Sequence, residues 1–201
     1  RIMKSNARVV VIGGGIVGCS ILYYLAKMGW KDVVLLERQE LTSGSSWHAA
    51  GQIHTINANS NLSGLQGYTL KFYPELEEIS GQSCSIHRTG VIYLASTRER
   101  LNYLMRERSK ARHLGFDTDF ISLEEVKRLN PLINTKHFLG ALFEPLDGHI
   151  DPSGTVNAFA KAAKNLGADI YRKTLARDLK QRLDWSWNVI TEQGNIHAEI
   201  V

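Results

Sequence analysis

The chain has 201 residues, 43% of them hydrophobic and 22% charged, which is ordinary globular composition and excludes disordered, collagenous and coiled-coil classes. Its two cysteines, Cys19 and Cys84, follow no pairing or metal pattern, so a disulfide scaffold and a cysteine-rich zinc module are excluded. The net charge of +4 is spread among acids, as in Arg98-Glu99-Arg100 and Arg106-Glu107-Arg108, which reads as solvated helix faces and not as a nucleic-acid stripe.

Val9 to Ala26 carries no charge and follows a basic segment, a length that would permit a membrane span. Glycines at 13, 14, 15 and 18 interrupt it, and it breaks into two periods, so a span is rejected and no membrane partner is expected. Arg8 to Ile12 is a continuous β-branched run, suited to a parallel strand buried on both faces. After the glycines, Val17, Ile21, Leu22, Leu25 and Met28 fall at helical spacing, and Gly29 stops the helix. Val33 to Leu36 is a second buried-type strand, completing a βαβ unit.

Thr42 to Gly51 reads as a loop. A helix is expected from Leu62 to Ile79 with Leu62, Leu65, Thr69, Phe72, Leu76 and Ile79 on its inner stripe, kinked or split at Pro74. Strand pattern surrounds Gly90. Ser96 and Glu99 read as a capping box opening a helix to Leu114, and Ser122 with Glu125 repeats that signature before a short helix. Phe138 to Phe143 is strand-like. Asp151-Pro152 is a helix start, with Val156, Phe159, Ala160, Ala163 and Leu166 as the stripe. Strands follow near 169–172, 175–179 and 187–191, then a turn at Gln193-Gly194-Asn195 and a final strand. The α/β pattern occupies the two ends and a different mixture the middle. The expected architecture is therefore an α/β Rossmann-like domain (1–81 and 151–201) interrupted by a mixed α+β substrate domain (82–150). The chain starts with Arg1 and stops inside a strand pattern, so it is expected to be truncated, with partners of that strand missing.

Gly13-Gly14-Gly15-Ile16-Val17-Gly18 satisfies G-x-G-x-x-G, with a buried strand before it and a helix after it. Gly13 allows the turn, Gly15 lets a pyrophosphate approach the backbone, and Gly18 lets helix and strand pack closely. The helix N-terminus offers free N–H groups and a partial positive charge to phosphates. Glu37 ends the second strand, where it can accept hydrogen bonds from ribose hydroxyls and disfavours a 2′-phosphate. Spacing does not separate FAD from NAD. The hydroxyls and small residues of Thr42–Gly51 favour a cofactor laid along the sheet and held at its ring, hence a flavin.

The run Val9–Gly18, then Lys31–Arg38, then Leu41–Gly51 with its Trp47-His48-Ala49-Ala50-Gly51 segment, resembles the amino-terminal part of dimethylglycine and sarcosine dehydrogenases, in the flavoprotein superfamily that includes D-amino acid oxidase. Asp147-Gly148-His149-Ile150-Asp151-Pro152 extends the resemblance. It implies FAD bound covalently through His48 to the flavin 8α carbon. It also implies cofactor contacts at Ile16, Val17, Glu37, Arg38, Gly44, Ser45, Ser46, Trp47, His48, Ala49, Ala50, Gly51 and Gln52, and more loosely at Ala176.

The implied reaction is oxidation of a small methylated amine. Hydride leaves the N-methyl carbon for the flavin, and the iminium is hydrolysed to formaldehyde or captured by tetrahydrofolate in a domain beyond this chain. The electron acceptor and the catalytic residues are not identified. Arg88 and the arginines of 98–112 are candidates for a substrate carboxylate by type only, and His54, His87 and His149 read as structural histidines. No H-E-x-x-H, C-x-x-C or G-x-S-x-G is present, so no metal site is expected. Two other readings stand beside this one: a non-catalytic regulatory protein of the same family, disfavoured by His48, and an NAD-dependent dehydrogenase, disfavoured by the 42–51 loop. The free cysteines suggest a reducing compartment, cytoplasmic or the mitochondrial matrix.

Overall fold

A computed structural model describes residues 2–201, which divide into two units. The first comprises residues 2–50, 74–85 and 151–201; the second comprises 51–73 and 86–150. Residues 51–73, read from sequence with the nucleotide-binding part, group with the second unit.

The first unit is built on a six-stranded sheet. β1 (Asn6–Ile12), β2 (Val33–Leu36), β8 (Asp169–Tyr171) and β11 (Gly194–Ile200) run parallel in the order β8-β2-β1-β11, and β10 (Trp187–Thr191) and β9 (Ala176–Gln181) extend the sheet antiparallel. All four residues of β2 are buried, as its unbroken apolar run requires of a strand covered on both faces. Val10, Val34, Leu36, Val189, Ile196 and Ala198 form the sheet's core. The final strand is not short of partners as expected. β11 pairs with β1 on one side (Asn6 opposite His197) and with β10 on the other (Val189 opposite Ile196).

Helix α1 (Ile16–Lys27) carries the chain from β1 to the parallel β2, and α5 (Pro152–Asn165) packs beside it, with Tyr23 edge-on to Phe159 at 5.7 Å. The buried face of α1 is Gly18, Cys19, Leu22, Tyr23 and Ala26. Of the stripe expected from spacing, Leu22 alone is fully buried; Val17, Ile21 and Met28 are 68%, 45% and 75% exposed. The small residues Gly18, Cys19 and Ala26 are what allow the close packing, and a pattern that counts only large side chains misses them. Asp151 caps α5 as expected, its Oδ1 accepting from Ser153 N at 2.9 Å, and Pro152 occupies the first turn. Leu166, expected on the buried stripe, caps the C-terminus and is 40% exposed.

The second unit contains a three-stranded antiparallel sheet in the order β4-β6-β5 (Val91–Ala95, Gly140–Glu144, Asp119–Ile121), covered by α3 (Arg98–His113). Ala95, Leu101, Leu104 and Leu142 form its core. α4 (Leu123–Leu129) is capped by Ser122, as expected. α3 is capped one residue later than expected, by Thr97 in extended conformation accepting from Arg100 N at 3.2 Å, and not by Ser96. A separate two-stranded ladder joins β3 (Gln52–Ile53) to β7 (Gly148–His149).

Helix α2 (Ser60–Ser80) is one continuous element containing Pro74, and its residues from Pro74 onward group with the first unit. Its buried positions match the expected stripe only in part. Phe72 and Leu76 are buried as expected, but Leu62, Leu65 and Ile79 are exposed, and Ser63, Gly67, Leu70 and Tyr73 are buried instead. The displacement centres on Gly67: a Cβ there would lie 2.4 Å from Phe116 Cζ, so the ring occupies the space a side chain would take.

Candidate functional site

The turn from β1 into α1 is the most constrained backbone in the first unit. Gly13 sits at φ +112°, a conformation open to glycine, and its N–H donates to Leu36 O at 2.9 Å. A Cβ at Gly18 would fall 1.9 Å from Gly13 O, so the helix can approach the turn only without a side chain there. A Cβ at Gly14 would lie 2.6 Å from Leu41 Cδ2 and 3.0 Å from Glu37 Cβ. A side chain at the middle glycine would have to displace Leu41 and crowd Glu37, a constraint its "x" position in the motif concealed.

Helix α1 opens on Gly15 with no side-chain cap from that residue, and its first intrahelical bond is Cys19 N to Gly15 O at 3.0 Å. The amides before that bond point out of the helix end. Ser46 Oγ accepts from Ile16 N at 3.0 Å, which fixes the 42–50 loop against the helix end, and Thr42 N donates to Gly14 O at 3.0 Å. Glu37 is 9% exposed; its Oε2 accepts from Gly14 N and its Oε1 from Gln39 N, both at 2.7 Å. The carboxylate expected to meet ribose hydroxyls thus also locks the glycine turn, and one acceptor direction on each oxygen is left over.

These residues enclose an open groove of about 440 Å³. Of the residues singled out from sequence, Gly13, Gly15, Ile16, Val17, Gly18, Glu37, Arg38, Gly44, Ser45 and Ser46 line it. Val11, Ile12, Gly14, Ile21 and Ser43 also line it and were not singled out as site residues. The available signal was apolar exposure: Ile12, Val17 and Ile21 are 46%, 68% and 45% exposed, and they give the groove an apolar wall beside the helix end. Free amides, a backbone within reach through Gly15, an orienting carboxylate and an apolar wall are the donor set a dinucleotide requires, so the residues present fit FAD.

Trp47, His48, Ala49 and Ala50 lie in the same loop but not on the groove's lining. Ser45–His48 forms a 3-10 turn in which the His48 and Trp47 rings stand 4.3 Å apart. His48 is exposed, and its Nδ1 lies 3.1 Å from Gly44 O. A carbonyl oxygen only accepts, so Nδ1 carries a proton, and in the neutral ring the lone pair is on Nε2. Gly51 and Gln52 belong to the second unit: Gly51 O accepts from Ile150 N at 2.9 Å, and Gln52 pairs with His149. Ala176 packs against the core of the large sheet, outside the groove lining.

In the second unit, Asp147 is fully buried. Its Oδ1 accepts from Thr55 N at 2.8 Å and Thr55 Oγ1 at 2.9 Å, and its Oδ2 from the Tyr93 hydroxyl at 3.1 Å. Burial pushes its carboxyl up to about 6, with the charge of Glu144 adding to the rise and the Thr55 and Tyr93 bonds opposing it. Arg88 is committed to backbone, donating to Leu146 O at 3.1 Å and Leu70 O at 2.9 Å. Arg108 forms a two-point pair with Asp119, and Arg100 and Arg106 lie over the Tyr103 ring. Cys19 and Cys84 are buried free thiols, pushed up to about 12 and about 11 chiefly by burial. Among the described residues no helix is long and apolar enough to cross a membrane.

Residues 8–201 match the family model described as FAD dependent oxidoreductase. The chain is 40% identical over 195 residues to dimethylglycine dehydrogenase, mitochondrial, of Rattus norvegicus, covering 97% of this chain and 23% of that protein. It is 40% identical over 171 residues to sarcosine dehydrogenase, mitochondrial, of Homo sapiens, covering 85% of this chain and 19% of that protein. The chain thus spans less than a quarter of the length of these relatives. Among solved structures, L-proline dehydrogenase from P. horikoshii superposes with a TM-score of 0.90 at 27% identity, covering 98% of this chain and 52% of that one. With a glycine turn that opens onto free helix amides, a buried carboxylate that braces it and a family match over nearly its whole length, this chain belongs to the FAD dependent oxidoreductase family.

Proposed function

We propose that this chain is the FAD-binding part of an oxidoreductase that demethylates a small N-methylated amine, and that His48 is the covalent anchor of the flavin. The observation that carries the reading is the groove at the start of α1, where the glycine turn, Glu37 and Ser46 converge on free helix amides. FAD, when bound, supplies the two-electron acceptor for the hydride leaving the N-methyl carbon. The chain's own residues do the rest. The amides beyond Gly15 take the diphosphate, and Glu37 accepts from the ribose with the oxygen directions its backbone bonds leave free. The Gly44 carbonyl holds a proton on His48 Nδ1, so that Nε2 of the neutral ring would be the nitrogen that replaces a hydrogen of the flavin 8α methyl group, the flavin itself taking up the two electrons released. The relatives named for dimethylglycine and sarcosine support a methylated amino acid as the substrate class.

The test separates anchor from activity. Acid denaturation of the flavin-loaded protein is expected to leave yellow colour on the chain, and His48→Ala to release it. Colour persisting on denatured His48→Ala would remove the anchor assignment. Anaerobic bleaching of the flavin by a panel of dimethylglycine, sarcosine and unmethylated glycine tests the substrate class; bleaching by glycine alone would overturn it.

A further inference from the structure

The β3–β7 ladder carries a feature that the proposed flavin chemistry does not use. His87 bridges to His149 as a hydrogen-bonded antiparallel pair: His87 N donates to His149 O at 2.9 Å, and His149 N to His87 O at 3.0 Å. Residues directly opposite in such a pair project to the same face, and the two imidazoles stack with centroids 4.7 Å apart and planes 26° from parallel. Both side chains are exposed. The backbone approach is fixed from below. A Cβ at Gly148 would come 2.0 Å from His87 O, so glycine there is what allows the strands to close and the rings to meet.

From this juxtaposition we propose that His87 and His149 form a two-imidazole chelate for a divalent transition-metal ion of the Cu²⁺/Zn²⁺ class, with water completing the coordination. Metal–imidazole bonds of about 2.0–2.1 Å place two nitrogens on one tetrahedral ion about 3.4 Å apart. The ring centres are 4.7 Å apart with planes 26° from parallel, so taking up the ion requires both rings to turn about their side-chain torsions until one nitrogen of each faces it. Imidazole pairs select borderline ions, Cu²⁺ above Zn²⁺, and an all-nitrogen pair without a carboxylate offers nothing to Mg²⁺ or Ca²⁺. The ladder holds both ligands in place before the ion arrives, so the second imidazole binds as an intramolecular partner. No cluster of three or more His, Cys, Asp or Glu suited to an ion exists among the described residues, so this pair does not belong to a larger centre. Sequence spacing hid it because the two histidines lie far apart along the chain and meet only through the ladder.

The experiment is titration of the untagged protein with Cu²⁺, and separately with Zn²⁺, at neutral pH by calorimetry, with electron paramagnetic resonance of the Cu²⁺ form. One equivalent of Cu²⁺ is expected, with coupling to two imidazole nitrogens. His87→Gln and His149→Gln should each weaken binding at least tenfold, and the double variant should be no more than about twofold weaker than either, because losing one arm already abolishes the chelate. His54→Gln and His137→Gln should bind as the parent does. Circular dichroism of each variant shows whether the fold is kept, and the parent's resonance spectrum stands independently of every variant. A parent spectrum without two imidazole nitrogens, undiminished binding in a folded His87→Gln or His149→Gln protein, or equal loss in His137→Gln would overturn the assignment.

Discussion

Asp147 is the carboxyl group whose ionisation the fold most clearly opposes, and its substitution by asparagine gives a signed, measurable result. Burial moves its carboxyl from an ordinary 3.8 to about 6. Each tenfold change in the dissociation constant is worth about 1.4 kcal/mol, so the ionised form is disfavoured in the folded state by on the order of 3 kcal/mol. Between these two pH values the native protein holds a proton that the unfolded chain has released. Stability at this site is therefore full only below 3.8, falls as pH rises from there to about 6, and stays lost at pH 7. Asp147→Asn keeps an oxygen to accept from Thr55 N and Oγ1, and its amide donates to Tyr93, whose hydroxyl turns to accept. It cannot ionise. The assay is urea unfolding of parent and variant at steps from pH 4 to pH 7. The stability of the variant relative to the parent should rise by about 2–3 kcal/mol across that range, most steeply midway between 3.8 and 6, and level off above 6. Parallel profiles for the two proteins would refute the reasoning, because every other titrating group is common to both.

Gly18→Ala drives a Cβ to 1.9 Å from the Gly13 carbonyl oxygen, a clash with backbone that no rotamer relieves. It should cost about 1–3 kcal/mol and lower the melting temperature measurably by calorimetry. Gly15→Val places its side chain where phosphate oxygens must approach, beside Ser46, so cofactor retention after gel filtration should be lost while circular dichroism stays native. Thr97→Ala removes the oxygen that Arg100 N donates to and should cost about 1 kcal/mol in chemical denaturation. Ser96→Ala, which tests the cap expected from sequence, should be nearly silent.

The parts legible in the sequence were those with a local cause. The β1–turn–α1–β2 unit is written in an unbroken apolar run, a glycine turn and a second apolar run. Asp151-Pro152 announces a helix through cap chemistry that needs no tertiary partner. What escaped depends on contacts between distant segments. The buried face of α2 follows Gly67 beneath the Phe116 ring, and the face of α1 follows Gly18, Cys19 and Ala26, where small residues do the packing and larger ones face out. In the candidate site, Glu37 and the outer glycines were recognisable by position. Gly14 was not, because its constraint comes from Leu41 and Glu37 folding over it. The apolar wall of Ile12, Val17 and Ile21 reads in sequence as core, and only its exposure marks it as a lining.

The double use of Glu37 has an evolutionary consequence. A carboxylate that merely faced a ribose could be exchanged for a neutral or basic residue, and the coenzyme choice would change with it. Here the same oxygens brace the bend at which α1 opens its free amides. Any replacement that welcomed an extra phosphate on the sugar would also unfasten that bend. A change of coenzyme in this scaffold would therefore demand coordinated substitutions at both places.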